Sequence, residues 1–414
     1  VPPPPSRGDI LPGAFRRFLS ARLLGVFCRH LISIAIAWEV YDRTNSAFAL
    51  GLIGLVQVAP VVGLALVTGP LIDRTDRRRT ASVALLGTAS MAMLFAAASW
   101  LHWPVWILYA GTFGLGVSSA FSQPAMSSLI PAIVEAPLLG RANAWSSTIF
   151  ETTSMVGPAA GGALIGLTGA TWPCYAIGAT MAVAASLTLV GVQTRPGYVA
   201  PAPAPARKPG EWREGVDFLR RTPLLLSAIT LDLFAVLFAG ATALLPIFAR
   251  DILGVGAAGL GWLRAAPAIG ASAMALASTR MSPWQRPGRV LLVAVALFGV
   301  VMIGFGLSQS FVLSLMLLAV AGALDNISVV IRATLEQVVT PDALRGRVSA
   351  VNYVFIGLSN ELGAFESGVA AALLGPVPAV VLGGGVTLIV VAAVARTWPQ
   401  LWRIGPLTEL RAAP

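Results

Sequence analysis

Runs of about twenty apolar residues recur along the whole of this 414-residue chain, separated by short polar gaps. A helix needs about that length to cross a hydrocarbon layer of about 30 Å at 1.5 Å per residue. Lipid offers no partner to an open N–H or C=O, so each such run has to be helical. The runs read as spans over 23–41, 49–71, 81–101, 104–129, 144–166, 172–193, 223–247, 256–278, 290–308, 312–335, 350–372 and 376–394. They explain why 56% of the residues are hydrophobic and only 11% charged, against about 25% charged in an ordinary soluble domain. The expected fold class is an all-α membrane protein with twelve transmembrane helices in two six-helix bundles.

Charge placement checks the count. The net charge of +10 is not a nucleic-acid footprint, because the basic residues sit in the gaps between spans, where positive charge sets membrane orientation. Alternate gaps are rich in arginine: Arg16, Arg17 and Arg22 before the first span, Arg74 and Arg77 to Arg79 after the second, Arg141 after the fourth. The pattern continues with Arg195, Arg213, Arg220 and Arg221, then Arg280, Arg286 and Arg289, then Arg345 and Arg347, then Arg396 and Arg403. The opposite side has Arg43 and Arg250, and an odd number of spans would break the alternation. Both ends of the chain are therefore expected on the cytoplasmic side.

The sixth gap differs in kind. A Pro-Ala tract over Val199–Pro209 reads as extended, and Trp212–Arg221 as a short amphipathic stretch on the membrane surface. The expected organisation is a cytoplasmic tail over 1–22, a first bundle over 23–194, a linker over 195–222, a second bundle over 223–394 and a tail over 395–414. An offset of 206 residues relates Arg74 to Arg280, Gly140-Arg141 to Gly346-Arg347, Gly157 to Gly363 and Gly162 to Gly368. That shared offset reads as an ancient duplication, and two six-span repeats suggest a cavity between them that opens alternately to each side.

Between the second and third spans the chain reads Gly69-Pro70-Leu71-Ile72-Asp73-Arg74-Thr75-Asp76-Arg77-Arg78-Arg79. This resembles the Gly-x-x-x-Asp-Arg-x-x-Arg-Arg cytoplasmic loop of the major facilitator superfamily, in particular its bacterial exporter group of enterobactin-exporter-like and macrolide-efflux-like proteins. Gly140 to Ala144, Gly157-Pro158-Ala159-Ala160-Gly161-Gly162 and Pro341 to Val348 add to the likeness. The resemblance implies a secondary active transporter of a bacterial inner membrane, exporting a small organic or amphipathic solute, siderophores included, by alternating access with proton antiport. An importer or uniporter of the same fold is the alternative. Two departures bear on coupling: Thr153 stands where the family's fifth-span motif begins with Gly, and Leu108–Ser122 holds no charge, whereas drug–proton antiporters carry an Arg there.

The residues carry their own readings. Arg77, Arg78 and Arg79 can be orientation charge alone, whereas Asp73 adds nothing to orientation and reads as a switching acid at a helix end. Gly157, Pro158, Gly161 and Gly162 read either as a kink or as a close helix contact, with the eighth span as the expected partner. Ionisable residues inside spans cost about 2.5 to 3.5 kcal/mol each at mid-helix. Asp325, Asp232 and Glu361 therefore read as substrate or proton-coupling acids, or as partners of Arg332 and Arg264. Arg332 and Glu336 share a face and can form a local pair; Arg29 and Glu151 can pair across the first bundle. His30 reads as an interface neighbour or a proton relay, and Glu39 and Asp42 as gate rim or solvated charge.

No metal or cofactor site is expected. Cys28 and Cys174 lie inside apolar runs without ligand-like spacing, and no Gly-x-x-x-x-Gly-Lys-Ser/Thr loop for ATP occurs. His30 and His102 are the only histidines and fall near opposite faces, which disfavours a membrane enzyme with a Ser-His-Asp or metal centre. A receptor or scaffold would need a closed bundle. The expected partners are a small-molecule solute, protons and membrane lipids, with the chain monomeric.

Overall fold

The computed structural model describes residues 13–195, 211–281 and 284–406. The Pro-Ala tract and the two chain ends lie outside them. The helices are α1 (Gly13–Thr44), α2 (Ala47–Arg74), α3 (Arg77–Trp100), α4 (Trp106–Ile133), α5 (Leu139–Thr168), α6 (Trp172–Val190), α7 (Glu211–Arg221) and α8 (Pro223–Ala239). A 3-10 turn, the short α9 (Leu245–Ile247) and a π-helical turn over Phe248–Ile252 follow. Then come α10 (Gly256–Ser278), α11 (Pro287–Leu307), α12 (Phe311–Val339), α13 (Asp342–Leu374), α14 (Pro376–Thr397) and α15 (Pro399–Arg403). No strand occurs among the described residues.

Eleven of the expected spans each fall on one of these helices, and the seventh, 223–247, runs over α8, the 3-10 turn and α9. Nine helices among the described residues are long and apolar enough to cross a membrane. The other three long ones, α4, α5 and α13, are interrupted by Gly, Ser, Thr and Asn, small or polar residues that serve helix–helix contact in lipid.

The chain divides into two compact units, one of Val1–Arg43 with Val56–Ala206, the other of Thr44–Leu55 with Arg207–Pro414. The first half of α2 thus packs with the later helices: a Cβ on Gly51 would stand 3.0 Å from the Gly368 backbone, and the Phe48 and Phe365 rings lie 6.1 Å apart.

In the first unit the core gathers Phe15, Phe18, Leu85, Leu129, Ile133 and Leu189. The start of α3 is set by Asp76, whose carboxylate caps the Arg78 N–H at 2.9 Å. Gly157 and Gly161 of α5 face α1. A Cβ on Gly157 would stand 2.6 Å from His30 Cβ, and one on Gly161 2.6 Å from Ile34. This corrects the expectation of the eighth span as their partner: the two helices that meet there belong to one unit, and side-chain volume at those glycines sets their approach.

The second unit repeats the device. A Cβ on Gly363 would stand 3.0 Å from the Val236 carbonyl of α8. The offset of 206 that relates Gly157 to Gly363 also relates His30 to Val236, so the same offset relates the two contacts. The core of this unit gathers Leu225, Leu231, Leu291, Ile331, Leu335 and Leu401.

One end of the first unit is closed by a buried charge. Glu39 is 4% exposed and forms an ion pair with Arg43 one turn on. It accepts from Thr171 Oγ1 at 2.7 Å and from Tyr175 Oη at 2.8 Å, while Arg43 donates to the Trp103 carbonyl at 2.8 Å. Thr171 also shares a 2.7 Å hydrogen bond with Ser99. Glu39 is therefore a core tie between α1, α3 and α6, not a solvated rim charge; Asp42 alone of the two is exposed.

Two outcomes follow from this packing. Gly157→Val is expected to lower the melting temperature of the detergent-purified protein markedly, whereas Gly140→Ala, where a Cβ meets nothing within 4 Å, leaves it unchanged. Glu39→Ala removes the charge partner of the partly buried Arg43 and leaves the buried Thr171 and Tyr175 hydroxyls without their acceptor, which should cost about 1–3 kcal/mol. Asp42→Ala should stay within about 0.5 kcal/mol by the same melting assay.

Candidate functional site

An acid–base set in the middle of the second unit stands out because charge there has to be earned by pairing. Asp232 on α8 and Arg332 on α12 are 6% and 7% exposed, and Asp232 Oδ2 lies 2.5 Å from the Arg332 guanidinium. Arg332 Nε donates to Ser328 Oγ at 3.2 Å. Asp325 stands seven residues before Arg332 and about 10 Å from it along the helix axis, on the same face.

Asp325 is exposed along much of its surface, yet with Asp232, Ser328, Val236 and Phe298 it lines a cavity of about 20 Å³. A space of that size has room for about one water molecule, and its lining is apolar apart from Asp232, Asp325 and Ser328. Two carboxylates and a hydroxyl thus meet at this cavity, with Arg332 outside its lining as the counter-charge of Asp232.

This geometry bears on three readings of the sequence. Asp232 is a partner of Arg332, which reaches across from another helix. Arg332 in turn is not paired with Glu336. Glu336 accepts from Ser349 Oγ at 2.5 Å and Asn352 Nδ2 at 2.7 Å, because the rotation of α12 presents it to α13. Arg29 and Glu151 are also apart. Glu151 is exposed, while the Gln123 amide oxygen, in the orientation that satisfies both groups, accepts from the Arg29 guanidinium at 2.9 Å.

Glu361 forms a second acidic point. It is half-buried on α13, the charge of Arg264 on α10 acts on it, and a Cβ on Gly54 would stand 3.0 Å from its Oε2. His30 shares a 3.3 Å contact with Ser154 Oγ and packs at Gly157, a place that fits the interface reading.

The loop between α2 and α3 does more than carry orientation charge. Arg78 bridges Asp76 at 3.0 Å and the Val192 carbonyl beyond α6 at 2.8 Å; Arg77 donates to the Ser128 carbonyl of α4 at 3.2 Å. Partial burial alone would raise the Asp76 carboxyl. The Arg78 hydrogen bonds and charge, with the Arg79 N–H, outweigh that and hold it below the usual carboxylate range. Gly69, Arg74, Arg79 and Arg141 are exposed, Pro158 and Gly162 buried. The Asp73 side chain lies outside the described residues. Arg347 is ion-paired with Glu214 of α7, so the linker helix is tied to the base of α13, a contact that hydropathy could not announce.

Among the described residues no group of His, Cys, Asp and Glu is arranged to hold a metal ion. What remains is a helical membrane protein whose internal polar chemistry consists of carboxylates, arginines and hydroxyls.

Comparison with known proteins agrees with that description. Residues 18–364 match the family model described as Major Facilitator Superfamily. The enterobactin exporter EntS of Shigella boydii serotype 18 and that of Escherichia coli O139:H28 are each 28% identical over 398 residues, covering 94% of this chain and 94% of the relative. Among solved structures, an inward-facing, unoccupied bacterial homologue of the human lysosomal transporter Spinster superposes with a TM-score of 0.72 at 15% identity, covering 97% of this chain and 98% of that one. A peptide transporter POT in complex with sulfate gives 0.70 at 13% identity, covering 98% of each chain. At such identities these likenesses speak to the fold, and with the match over most of its length the chain belongs to the Major Facilitator Superfamily.

Proposed function

We propose that this chain is a secondary active transporter of a bacterial inner membrane that exports a small organic or amphipathic solute in exchange for protons, by alternating access. Both of its ends are on the cytoplasmic side. The observation that carries the reading is the buried Asp232–Arg332 pair, with Asp232 and Asp325 together on a cavity of one-water size. A carboxylate in that place can hold either a proton or its guanidinium, and the choice between them is a chemical means of coupling.

The export direction and the solute class lean on relatives named as enterobactin exporters, so a siderophore or a solute of similar size is the first class to test. Transport chemistry is favoured over enzymatic chemistry by the same relatives.

In the proposed cycle, a proton entering by Asp325 and the cavity water reaches Asp232 and weakens its hold on Arg332. Release of that proton to the other side restores the pair. Glu361, with Arg264 near it, and Arg29, held by Gln123, are the further charged groups in reach of a solute. Asp73 and the arginines of its loop are assigned to switching.

The test is transport by everted vesicles carrying Asp232→Asn, Asp325→Asn or Arg332→Gln, with enterobactin as the probe. Asp232→Asn and Asp325→Asn should each lower uphill transport about tenfold or more, a loss of roughly 1.4 kcal/mol of coupling. Downhill exchange should persist at normal protein abundance. Unchanged uphill transport in both acid variants would remove these carboxylates from the coupling step.

A further inference from the structure

Glu336 is a buried carboxylate, 8% exposed, to which the transport cycle above gives no work. It follows Arg332 by four residues on α12, the spacing that sets two side chains on one helix face about 5–6 Å apart. In this structure Arg332 turns away from it to Asp232, and Glu336 is held by Ser349 and Asn352 of α13. The other charged groups around that end have their own engagements. Arg345 donates to the Gln337 carbonyl, Arg347 is paired with Glu214, and the charge of Arg264 on α10 acts on Glu361. Asp325, two turns before Arg332 on the same face, also feels the charge of Arg332 and shares the cavity with Asp232; it lies about 16 Å from Glu336 along the axis.

A guanidinium stays protonated in any protein environment, and burying one without a partner is among the costlier things a fold can do. If a proton neutralises Asp232, Arg332 loses its partner but keeps its charge. Another carboxylate has to be within reach: Asp325 stands two turns away, and Glu336 a single turn away, the spacing at which the side chains of i and i+4 meet.

We propose that Arg332 has two seats, Asp232 and Glu336, and passes from the first to the second when Asp232 takes up a proton. The step is balanced: a proton bonds to Asp232 Oδ2, the ion pair between that carboxylate and Arg332 breaks, and the same guanidinium pairs with Glu336. Proton release reverses it. Glu336 is then a positioning residue. Its hydrogen bonds to Ser349 and Asn352 yield when Arg332 arrives, so proton occupancy at the middle of α12 is felt at the base of α13.

This inference rests on the proton-exchange reading of Asp232, but its test does not, because Asn reproduces a neutral Asp232 without any proton. The full chain is purified in detergent with Asp325→Asn as the starting protein, so that this third carboxylate is neutral throughout, and then with Asp232→Asn, Glu336→Gln, both, and both with Arg332→Gln added. Melting temperatures are then compared as a double-mutant cycle. Each single variant leaves Arg332 one seat, so each should melt only slightly below the starting protein. The double variant should fall by clearly more than the sum of the two shifts, and Arg332→Gln should recover most of that loss. A purely structural role of Glu336 in joining α12 to α13 would not produce recovery by a change at Arg332. Additive shifts, or Asp232→Asn falling as far as the double variant, would overturn the second seat. Those results would leave the proton reading to stand or fall on the vesicle measurements.

Discussion

The structure of the second unit depends on keeping one guanidinium satisfied away from water. Arg332 is always charged, and a buried ion pair is tolerable only with close geometry and further hydrogen bonds. Asp232 and Ser328 supply both. That need places α8 against α12 at a defined rotation, and it leaves Asp325 beside the pair on the edge of the small cavity. The polar groups that a transporter can use are thus the ones the fold requires for its own stability. The same economy appears in the first unit, where Glu39 closes one end by answering Arg43, Thr171 and Tyr175 together.

Contacts between backbones supply the second constraint. Lipid tails are as apolar as leucine, so helices in a bilayer are joined by close fit and not by expulsion of water. Gly157 and Gly161 let α5 approach α1, and Gly363 lets α13 approach α8. The two contacts are related by the same offset of 206 residues, so each meets the same physical requirement at a matching position. A side chain at either site would push apart helices whose charged partners tolerate only small displacements.

Much of the fold was legible in the residues because hydropathy and arginine placement are local properties. Twelve runs and the alternation of Arg16, Arg77, Arg141, Arg220, Arg289, Arg347 and Arg396 need no knowledge of what touches what. Site pairing is not local. Glu336 is four residues from Arg332 and yet bonds to α13, while Asp232, a hundred residues away, takes the arginine. Helix rotation decides between them, and rotation is set by packing of the whole unit. Glu39 was ambiguous for the same reason: its neighbour Asp42 is exposed, and only Thr171 and Tyr175, brought in by α6, reveal that Glu39 is inside.

The measurement that bears most directly on this account is proton movement by the purified wild-type protein in sealed proteoliposomes, followed with an internal pH indicator as enterobactin is added on one side. The account predicts a proton flux opposite in direction to the solute, proportional to it and absent from protein-free vesicles. Enterobactin crossing with no accompanying proton flux would contradict the exchange of proton and guanidinium at Asp232.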